Sequence, residues 1–305
     1  MKLNKIYNKE CTAGLKELPE KSIHCCVTSP PYWGLRDYGT DDQFGLEETP
    51  QQYVDNMVKL FREVKRVLKD DGTLWLNLGD SYSSGGRQST TNQSLRGEKQ
   101  YGVTRPKANK NIKPKDLIGI PWRVAFALQA DGWYLRQDII WHKPNPMPES
   151  VHDRCTKSHE YIFLLSKSPS YYYDNESIKE KAIGNNPGNK SHKYFNSHDE
   201  KFKTKTNLKN ITAVDFRNKR SVWTVNTKSY KEAHFATYPE KLILPCIKAG
   251  CPKGGIVLDP FMGAGTTGLV ARKLNRNYIG FELNADYIKI AEKRIFNDIG
   301  LFNDI

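Results

Sequence analysis

The chain has 305 residues, 38% of them hydrophobic and 11% aromatic, which is enough to bury a substantial core. Its apolar runs, such as residues 161–165, are far shorter than the roughly 20 residues of a membrane helix, and residues 1–5 lack the apolar segment of a secretion signal. The six cysteines form no C-x-x-C pair, so we expect a cytoplasmic protein with buried thiols and without a metal site.

Lys and Arg number 47 against 34 Asp and Glu, a formal net charge of +13. Residues 81–115 hold eight basic residues and one acidic residue, and residues 181–231 hold twelve and three, so the remaining chain is slightly acidic. Both stretches are rich in Gly, Asn and Ser and lack apolar periodicity, which predicts insertions or mobile segments. They are either solvated lysine-rich loops or a surface that binds a polyanion.

The rest of the chain alternates strand and helix patterns. Residues 22–28 form a short buried strand, and Thr49-Pro50 opens a helix whose apolar residues recur every three or four positions until Gly72. The next elements are predicted as a strand at residues 73–78, a helix at 116–130, and strands at 133–141 and 160–165. This alternation predicts a mostly parallel sheet with helices on both faces.

The same alternation resumes after the second basic stretch. Residues 239–250 form a predicted helix that Pro245 should kink or shorten. A strand at residues 255–259, a helix at 263–274, a strand at 278–282 and a last helix capped by Asn284 complete the pattern.

A glycine-rich segment, Asp259-Pro260-Phe261-Met262-Gly263-Ala264-Gly265-Thr266-Thr267, joins a predicted strand to a helix. In this context glycines let a ligand approach backbone N–H groups. Glu282 ends the next strand, where an acid can accept hydrogen bonds from ribose hydroxyls, so the spacing is also typical of an NAD site. The structural alternative is an ordinary tight turn, and the absence of a following lysine excludes a P-loop.

A second motif, Ser29-Pro30-Pro31-Tyr32, lies where the first buried strand ends. Two consecutive prolines fix the backbone and leave carbonyl oxygens outside any strand ladder. A hydroxyl, free carbonyls and an aromatic ring suit a planar base with an exocyclic amine, because the oxygens accept the amine hydrogens and the ring stacks on the base. The structural alternative is a proline turn with a packed tyrosine.

Together the two motifs resemble those of the S-adenosylmethionine-dependent DNA amino-methyltransferases, the N4-cytosine/N6-adenine family, in the order of its beta group. The resemblance covers most of the chain outside the basic stretches. It implies a Rossmann-like class I methyltransferase fold, an α/β fold that is circularly permuted, with a seven-stranded, mostly parallel sheet and a basic target-recognition insertion.

The resemblance also implies roles for individual residues. Ser29, Pro30, Pro31 and Tyr32 are the predicted catalytic residues, and Tyr32 stacks on a flipped base. S-adenosylmethionine is the predicted cofactor. The predicted cofactor-binding residues are Asp259, Pro260, Phe261, Gly263, Gly265, Thr266, Glu282 and Glu10, the last replacing the aspartate usual in the family's Asn-x-Asp-Cys turn.

The sequence therefore predicts a site-specific DNA methyltransferase that modifies an exocyclic amine. The serine at the first motif position favours cytosine N4 over adenine N6. The alternatives are an NAD-dependent oxidoreductase, a DNA-binding protein with an inactive methyltransferase fold, and an amino-methyltransferase acting on RNA or protein. A cytosine-C5 enzyme is rejected, because Pro245-Cys246 falls in a predicted helix, where a buried packing thiol is expected.

Three regions are predicted along the chain. Residues 1–174 form the catalytic part with a mobile basic loop at 81–115, residues 175–232 the target-recognition region, and residues 233–305 the cofactor-binding part of the same domain. Double-stranded DNA is the expected partner of a nucleoid-associated monomer or homodimer, with a cognate restriction endonuclease as a candidate partner and no membrane. Four aromatic residues of the second basic stretch either contact bases or pack at hinges: Tyr194, Phe195, Phe216 and Trp223.

Overall fold

The computed structural model describes residues 1–35, 43–83, 112–182, 215–227 and 238–300, with side chains described as far as residue 298. The elements in chain order are β1 (Lys5–Asn8), α1 (Cys11–Lys16), β2 (Ile23–Thr28), α2 (Pro50–Val67), β3 (Leu68–Leu78), α3 (Ile120–Ala130), β4 (Tyr134–His142), β5 (His159–Ser166), β6 (Glu180–Lys181), β7 (Phe216–Arg217), β8 (Val222–Thr224), α4 (Glu240–Gly250), β9 (Ile256–Asp259), α5 (Thr266–Lys273), β10 (Asn277–Glu282) and α6 (Ala285–Gly300).

One mixed sheet carries the fold, with strand order β1-β10-β9-β2-β3-β5-β4-β8. The first five strands in this order, β1, β10, β9, β2 and β3, are parallel to one another, and β5 is antiparallel to both β3 and β4. The last two strands of the chain, β9 and β10, lie between the first two, β1 and β2. This arrangement confirms the predicted α/β fold and its permuted order.

The sheet has eight strands within the described residues, whereas seven were predicted. The additional strand is β8, which pairs parallel with β4 through Ile140 and Val222. It contains only three residues, Val222–Thr224, which is too short for hydrophobic periodicity to reveal. Trp223 at its centre is 6% exposed and packs in the sheet, while Phe216 in β7 is 54% exposed.

Three helix boundaries differ from the predictions by three residues or more: the end of α2 and the starts of α3 and α5, the last of which begins at Thr266 rather than at residue 263. Helix α2 begins as expected with a reciprocal capping box between Thr49 and Gln52, but it ends at Val67. The chain then enters β3 directly, since Leu68 already pairs with Ile23 of β2. Helix α3 begins four residues later than predicted, after Gly119 with a φ of +77°.

Pro245 neither shortens nor ends α4, which continues to Gly250. The proline removes the N–H that would bond to the carbonyl of Lys241, and Lys241 is exposed, so water can satisfy that carbonyl. Cys246 is 1% exposed in this helix, which confirms the buried thiol.

The structure divides into two compact units, residues 1–174 together with 221–305, and residues 175–220. In the smaller unit β6 and β7 pair antiparallel, and Glu180 accepts hydrogen bonds from Arg217 Nε at 3.0 Å and Arg220 Nε at 2.6 Å. Most of the predicted basic loop and target-recognition region, including Tyr194 and Phe195, lies outside the described residues. No described helix combines the length and apolar character needed to cross a bilayer.

Candidate active site

The two sequence motifs leave the sheet side by side. Strands β2 and β9 are adjacent and parallel, with Cys25 opposite Val257 and Cys26 opposite Leu258. Both strands therefore end at the same edge, the edge at which open α/β sheets bind ligands. The Thr28 hydroxyl donates a hydrogen bond to Asp259 Oδ1 at 2.6 Å. This hydrogen bond connects two residues that are 231 positions apart in the sequence.

Asp259 holds the two motif loops together. Its carboxylate is 1% exposed and also accepts hydrogen bonds from the Phe261 N–H at 3.0 Å, the Thr267 hydroxyl at 2.6 Å and the Tyr238 hydroxyl at 3.0 Å. Burial raises the pKa of this carboxyl above its ordinary value, and the hydrogen bonds oppose that shift. With this many donors around it, Asp259 fixes the loop backbone rather than presenting a free carboxylate.

The two glycines of the loop have different surroundings although both have positive φ, +49° at Gly263 and +77° at Gly265. A Cβ at Gly263 would meet no atom of the described residues within 4 Å, so this part of the structure leaves the space above Gly263 open. A Cβ at Gly265 would lie 2.7 Å from Ala291 Cβ of α6. Gly263 therefore leaves room for a ligand, whereas Gly265 allows the loop to pack against the last helix.

Glu282 lies at the end of β10, next to this opening. It accepts hydrogen bonds from the N–H groups of Gly263 and Asn284, both at 2.9 Å. Burial raises the pKa of its carboxyl, against the opposing effect of those hydrogen bonds. The side chain of Asn8 in β1 donates to the carbonyls of Glu282 and Leu283, which ties the edge strand to the end of β10.

Glu10 lies two residues beyond β1 and is the N-cap of α1. Its carboxylate accepts from the N–H groups of Thr12 and Ala13, both at 2.7 Å. Burial acts to raise its pKa, but the hydrogen bonds from the helix outweigh it and the pKa lies below the ordinary value. Both of its oxygens therefore already stabilise a helix end.

The other predicted cofactor residues surround the glycine loop. The half-buried ring of Phe261 packs edge-on against Phe44, with 5.5 Å between the ring centroids. Pro260 is buried. Thr266, at the start of α5, is 3% exposed, and its hydroxyl accepts a hydrogen bond from Arg294 at 2.9 Å.

The proline motif is fastened to the core on one side. The Tyr53 hydroxyl of α2 donates to the Pro31 carbonyl at 2.9 Å, and the Trp33 indole N–H donates to the Glu47 carbonyl at 2.8 Å. Within the described part of the chain, no hydrogen bond to the Pro30 carbonyl is found. The Pro31 carbonyl is thus used by Tyr53, whereas the Pro30 carbonyl can accept a hydrogen bond from a ligand.

Tyr32 stands in a polar network at the end of β3 and the start of β5. Its hydroxyl donates to Glu160 Oε2 at 2.8 Å and lies 3.3 Å from Asn77 Oδ1, while the Ser29 hydroxyl lies 3.4 Å away. Burial and the neighbouring Glu160 raise the pKa of Tyr32 well above its ordinary value. A Cβ at Gly79 would lie 2.5 Å from the Tyr32 ring, so only glycine leaves room for the ring there.

Four residues around the site were not predicted from the sequence: Asn77, Gly79, Glu160 and Tyr238. Asp80 and Lys143 each follow a predicted apolar strand, so a capping or solvated role is expected for them at least as much as a site role. Asn77 interrupts the apolar run at residues 74–78 of β3, and Glu160 directly precedes the apolar run at residues 161–165 of β5, which is the signal that could have marked them. Lys143 forms an ion pair with Glu160, and the two side chains are 17% and 16% exposed. The Asp80 carboxylate caps α3 by accepting from the N–H groups of Gly119 and Ile120.

The site fits a ligand with an adenosine part. Gly263 offers an open cradle, Glu282 a carboxylate suited to ribose hydroxyls, and Phe261 a half-buried ring for a base. The described residues contain no group of three or more His, Cys, Asp or Glu side chains that could hold a metal ion.

Known proteins similar to this chain belong to one family. Residues 23–293 match the N6/N4 methyltransferase family model, described as DNA methylase. The chain is 48% identical over 290 residues to the Type II methyltransferase M.Cfr9I of Citrobacter freundii, covering 95% of this chain and 87% of that protein. It is 49% identical over 291 residues to the Type II methyltransferase M.SmaI of Serratia marcescens, covering 95% and 90%.

Two solved structures share the fold at low sequence identity. PvuII DNA methyltransferase (cytosine-N4-specific) matches with a TM-score of 0.64 and 19% identity, over 96% of this chain and 89% of that chain. A putative DNA modification methylase from Thermus thermophilus, complexed with S-adenosyl-L-methionine, matches with a TM-score of 0.59 and 21% identity, over 97% and 95%.

Proposed function

The chain belongs to the N6/N4 family of DNA methylases, and on that premise we propose that it transfers a methyl group from S-adenosylmethionine to an exocyclic amine of a base in double-stranded DNA. One observation carries the proposal. The hydrogen bond between Thr28 and Asp259 joins the ends of β2 and β9, so Ser29-Pro30-Pro31-Tyr32 and the glycine loop start at the same edge of the sheet, where a methyl donor and an amine could meet.

On the cofactor side, the chain supplies binding groups. Glu282 would hold the ribose hydroxyls, Phe261 would cover the adenine, and the open cradle at Gly263 would admit the methionine part. S-adenosylmethionine supplies an electrophilic methyl on a sulfonium. Asp259, whose carboxylate accepts four hydrogen bonds, and Glu10, which caps α1, would act by shaping the loops around the cofactor.

On the acceptor side, the chain supplies hydrogen-bond acceptors and a stacking ring. The amine of a base inside a duplex is inaccessible to in-line attack, so the target base must leave the stack. Its amine is a poor nucleophile because the nitrogen lone pair is delocalised into the ring. Hydrogen bonds from the amine to the Ser29 hydroxyl and the Pro30 carbonyl would favour a pyramidal nitrogen. The Tyr32 ring would stack on the base.

Cytosine N4 is the proposed target in preference to adenine N6, because serine occupies the first position of the catalytic motif. The relatives that carry Type II names support a role in restriction and modification, with a cognate restriction endonuclease as partner. The family match does not favour a nicotinamide-dependent oxidoreductase, nor an RNA or protein acceptor.

The test is tritium transfer from labelled S-adenosylmethionine to genomic DNA, followed by mass spectrometry of the nucleosides. We expect N4-methylcytosine from the native chain. The rate of methyl transfer should fall roughly a hundredfold or more in Ser29→Ala, because the amine loses a hydrogen-bond acceptor that also orients it. N6-methyladenine instead would overturn the base assignment alone. No labelled base, or equal labelling by Ser29→Ala, would refute the proposed mechanism.

A further inference from the structure

Glu160 lies on β5, outside both sequence motifs, yet it contacts the proposed stacking residue. Its Oε2 accepts the Tyr32 hydroxyl at 2.8 Å and the Asn77 side-chain amide at 3.3 Å, while Oε1 is paired with Lys143. The carboxylate thus receives donors from three separate segments of the chain. Such a network holds each member in one geometry.

Tyr32 has a single hydroxyl proton, and the closest acceptor is the carboxylate. Hydrogen bonds to a charged acceptor are stronger than those between neutral groups, so the proton is committed to Glu160 rather than to Asn77 Oδ1 at 3.3 Å. Toward Ser29 the tyrosine oxygen can then only accept. The Ser29 hydroxyl, 3.4 Å away, donates to it and keeps its own lone pairs for another donor.

This direction of hydrogen bonding matches the chemistry of the site. An exocyclic amine brings hydrogens, so it needs acceptors, and a Ser29 hydroxyl whose proton points at Tyr32 is an acceptor. The ring of Tyr32 also lies close to Gly79, where an added Cβ would come within 2.5 Å of it. Glu160 therefore controls both the ring and, through it, the serine.

We propose that Glu160, held by Lys143, is a positioning residue that fixes the Tyr32 ring for stacking and orients the Ser29 hydroxyl to accept from the target amine. This inference rests on the proposed function. It adds a residue that neither motif contains and that touches neither the base nor the methyl donor.

A double-mutant cycle tests the proposal with Glu160→Gln, Tyr32→Phe and the double variant. Phenylalanine keeps the ring and removes the hydroxyl, and glutamine keeps the shape and removes the charged acceptor. We expect each single variant to lower kcat for DNA methylation roughly tenfold to a hundredfold, with the Kd for S-adenosylmethionine unchanged. Because both changes break the same bond, the double variant should be no slower than the slower single variant.

Glu63→Gln is the matched control. Glu63 is a partly buried carboxylate, 25% exposed, in an ion pair with Arg66 on α2, and it contacts neither motif. It should leave kcat unchanged. The proposal would be overturned if the loss of kcat in the double variant equalled the product of the losses in the two single variants. It would also be overturned if Glu160→Gln kept the native kcat.

A second readout keeps this inference separate from the proposed function. Urea midpoints of the same four proteins should also combine non-additively, because the Tyr32–Glu160 bond stabilises the fold whether or not DNA is present. If the native chain methylates no DNA but the midpoints are coupled, the proposed function fails while Glu160 still positions Tyr32. Additive midpoints would overturn the positioning role itself.

Discussion

Two glycines separated by one residue perform different tasks in the candidate site. Within the described ranges, a Cβ added at Gly263 would have no neighbour within 4 Å, whereas a Cβ added at Gly265 would lie 2.7 Å from the Cβ of Ala291. A sequence pattern treats them alike, because both belong to the same G-x-G loop and both have positive φ. The difference depends on what α6 places beside each of them.

This difference predicts opposite outcomes for two alanine variants. Each costs about 1 kcal/mol in backbone strain at positive φ. Gly263→Ala should therefore lower the melting temperature slightly but weaken S-adenosylmethionine binding by roughly tenfold or more, since its methyl fills the cradle. Calorimetric titration with the cofactor measures the binding.

Gly265→Ala is the counterpart. Its methyl collides with α6, so it should lower the melting temperature clearly more than Gly263→Ala, by overpacking of about 1–3 kcal/mol. Equal melting temperatures with equal cofactor affinities would contradict the division of roles between the two glycines.

At the scale of elements, β2 and β9 are joined at both ends. Thr28 bonds to Asp259 where the strands end, and His24 Nδ1 accepts the Ile256 N–H at 3.0 Å where they begin. Burial and the nearby Lys69 lower the pKa of His24 below its ordinary 6.5, although Asp71 acts to raise it. The imidazole must be neutral to accept this bond.

The pH dependence follows from the sign of that shift. The unfolded chain takes up a proton at a higher pH than the folded chain does, so the contribution of His24 to stability is present above about pH 6.5 and is lost as the pH falls toward the lower folded-state pKa. His24→Asn places an amide oxygen near Nδ1 that accepts without titrating. Urea midpoints at pH 8 and pH 5.5 should show the native chain losing more stability than the variant.

Comparison of the two proteins at each pH removes the effect of the other titrating groups they share. A native-minus-variant difference that stays constant with pH would show that the His24–Ile256 bond does not depend on protonation.

At the scale of the whole molecule, positive charge is concentrated in residues 81–115 and 181–231, most of which lie outside the described structure. Phosphate neutralisation releases counterions, so the Kd for DNA should rise steeply between 50 and 200 mM salt, by about a thousandfold for roughly six contacts. Binding of the cofactor should change far less. Fluorescence anisotropy with a labelled duplex measures the slope.

A charge-matched pair of variants locates the contacts. The first replaces four lysines of the second basic stretch by glutamine, at Lys201, Lys203, Lys205 and Lys209. The control replaces four exposed lysines elsewhere, at Lys16, Lys59, Lys241 and Lys253. The first set should reduce the salt slope by more than the control set, and equal slopes would assign DNA binding to overall charge.

The sequence by itself determined the alternation of strands and helices, both motifs and the distribution of charge, because each depends on residues close together in the chain. Only the tertiary structure decided which strands are neighbours, that Asp259 joins β2 to β9, and that Glu160 reaches Tyr32 across 128 positions. Such pairings arise when distant strands meet in one sheet, and no local periodicity records which distant residue will be the partner.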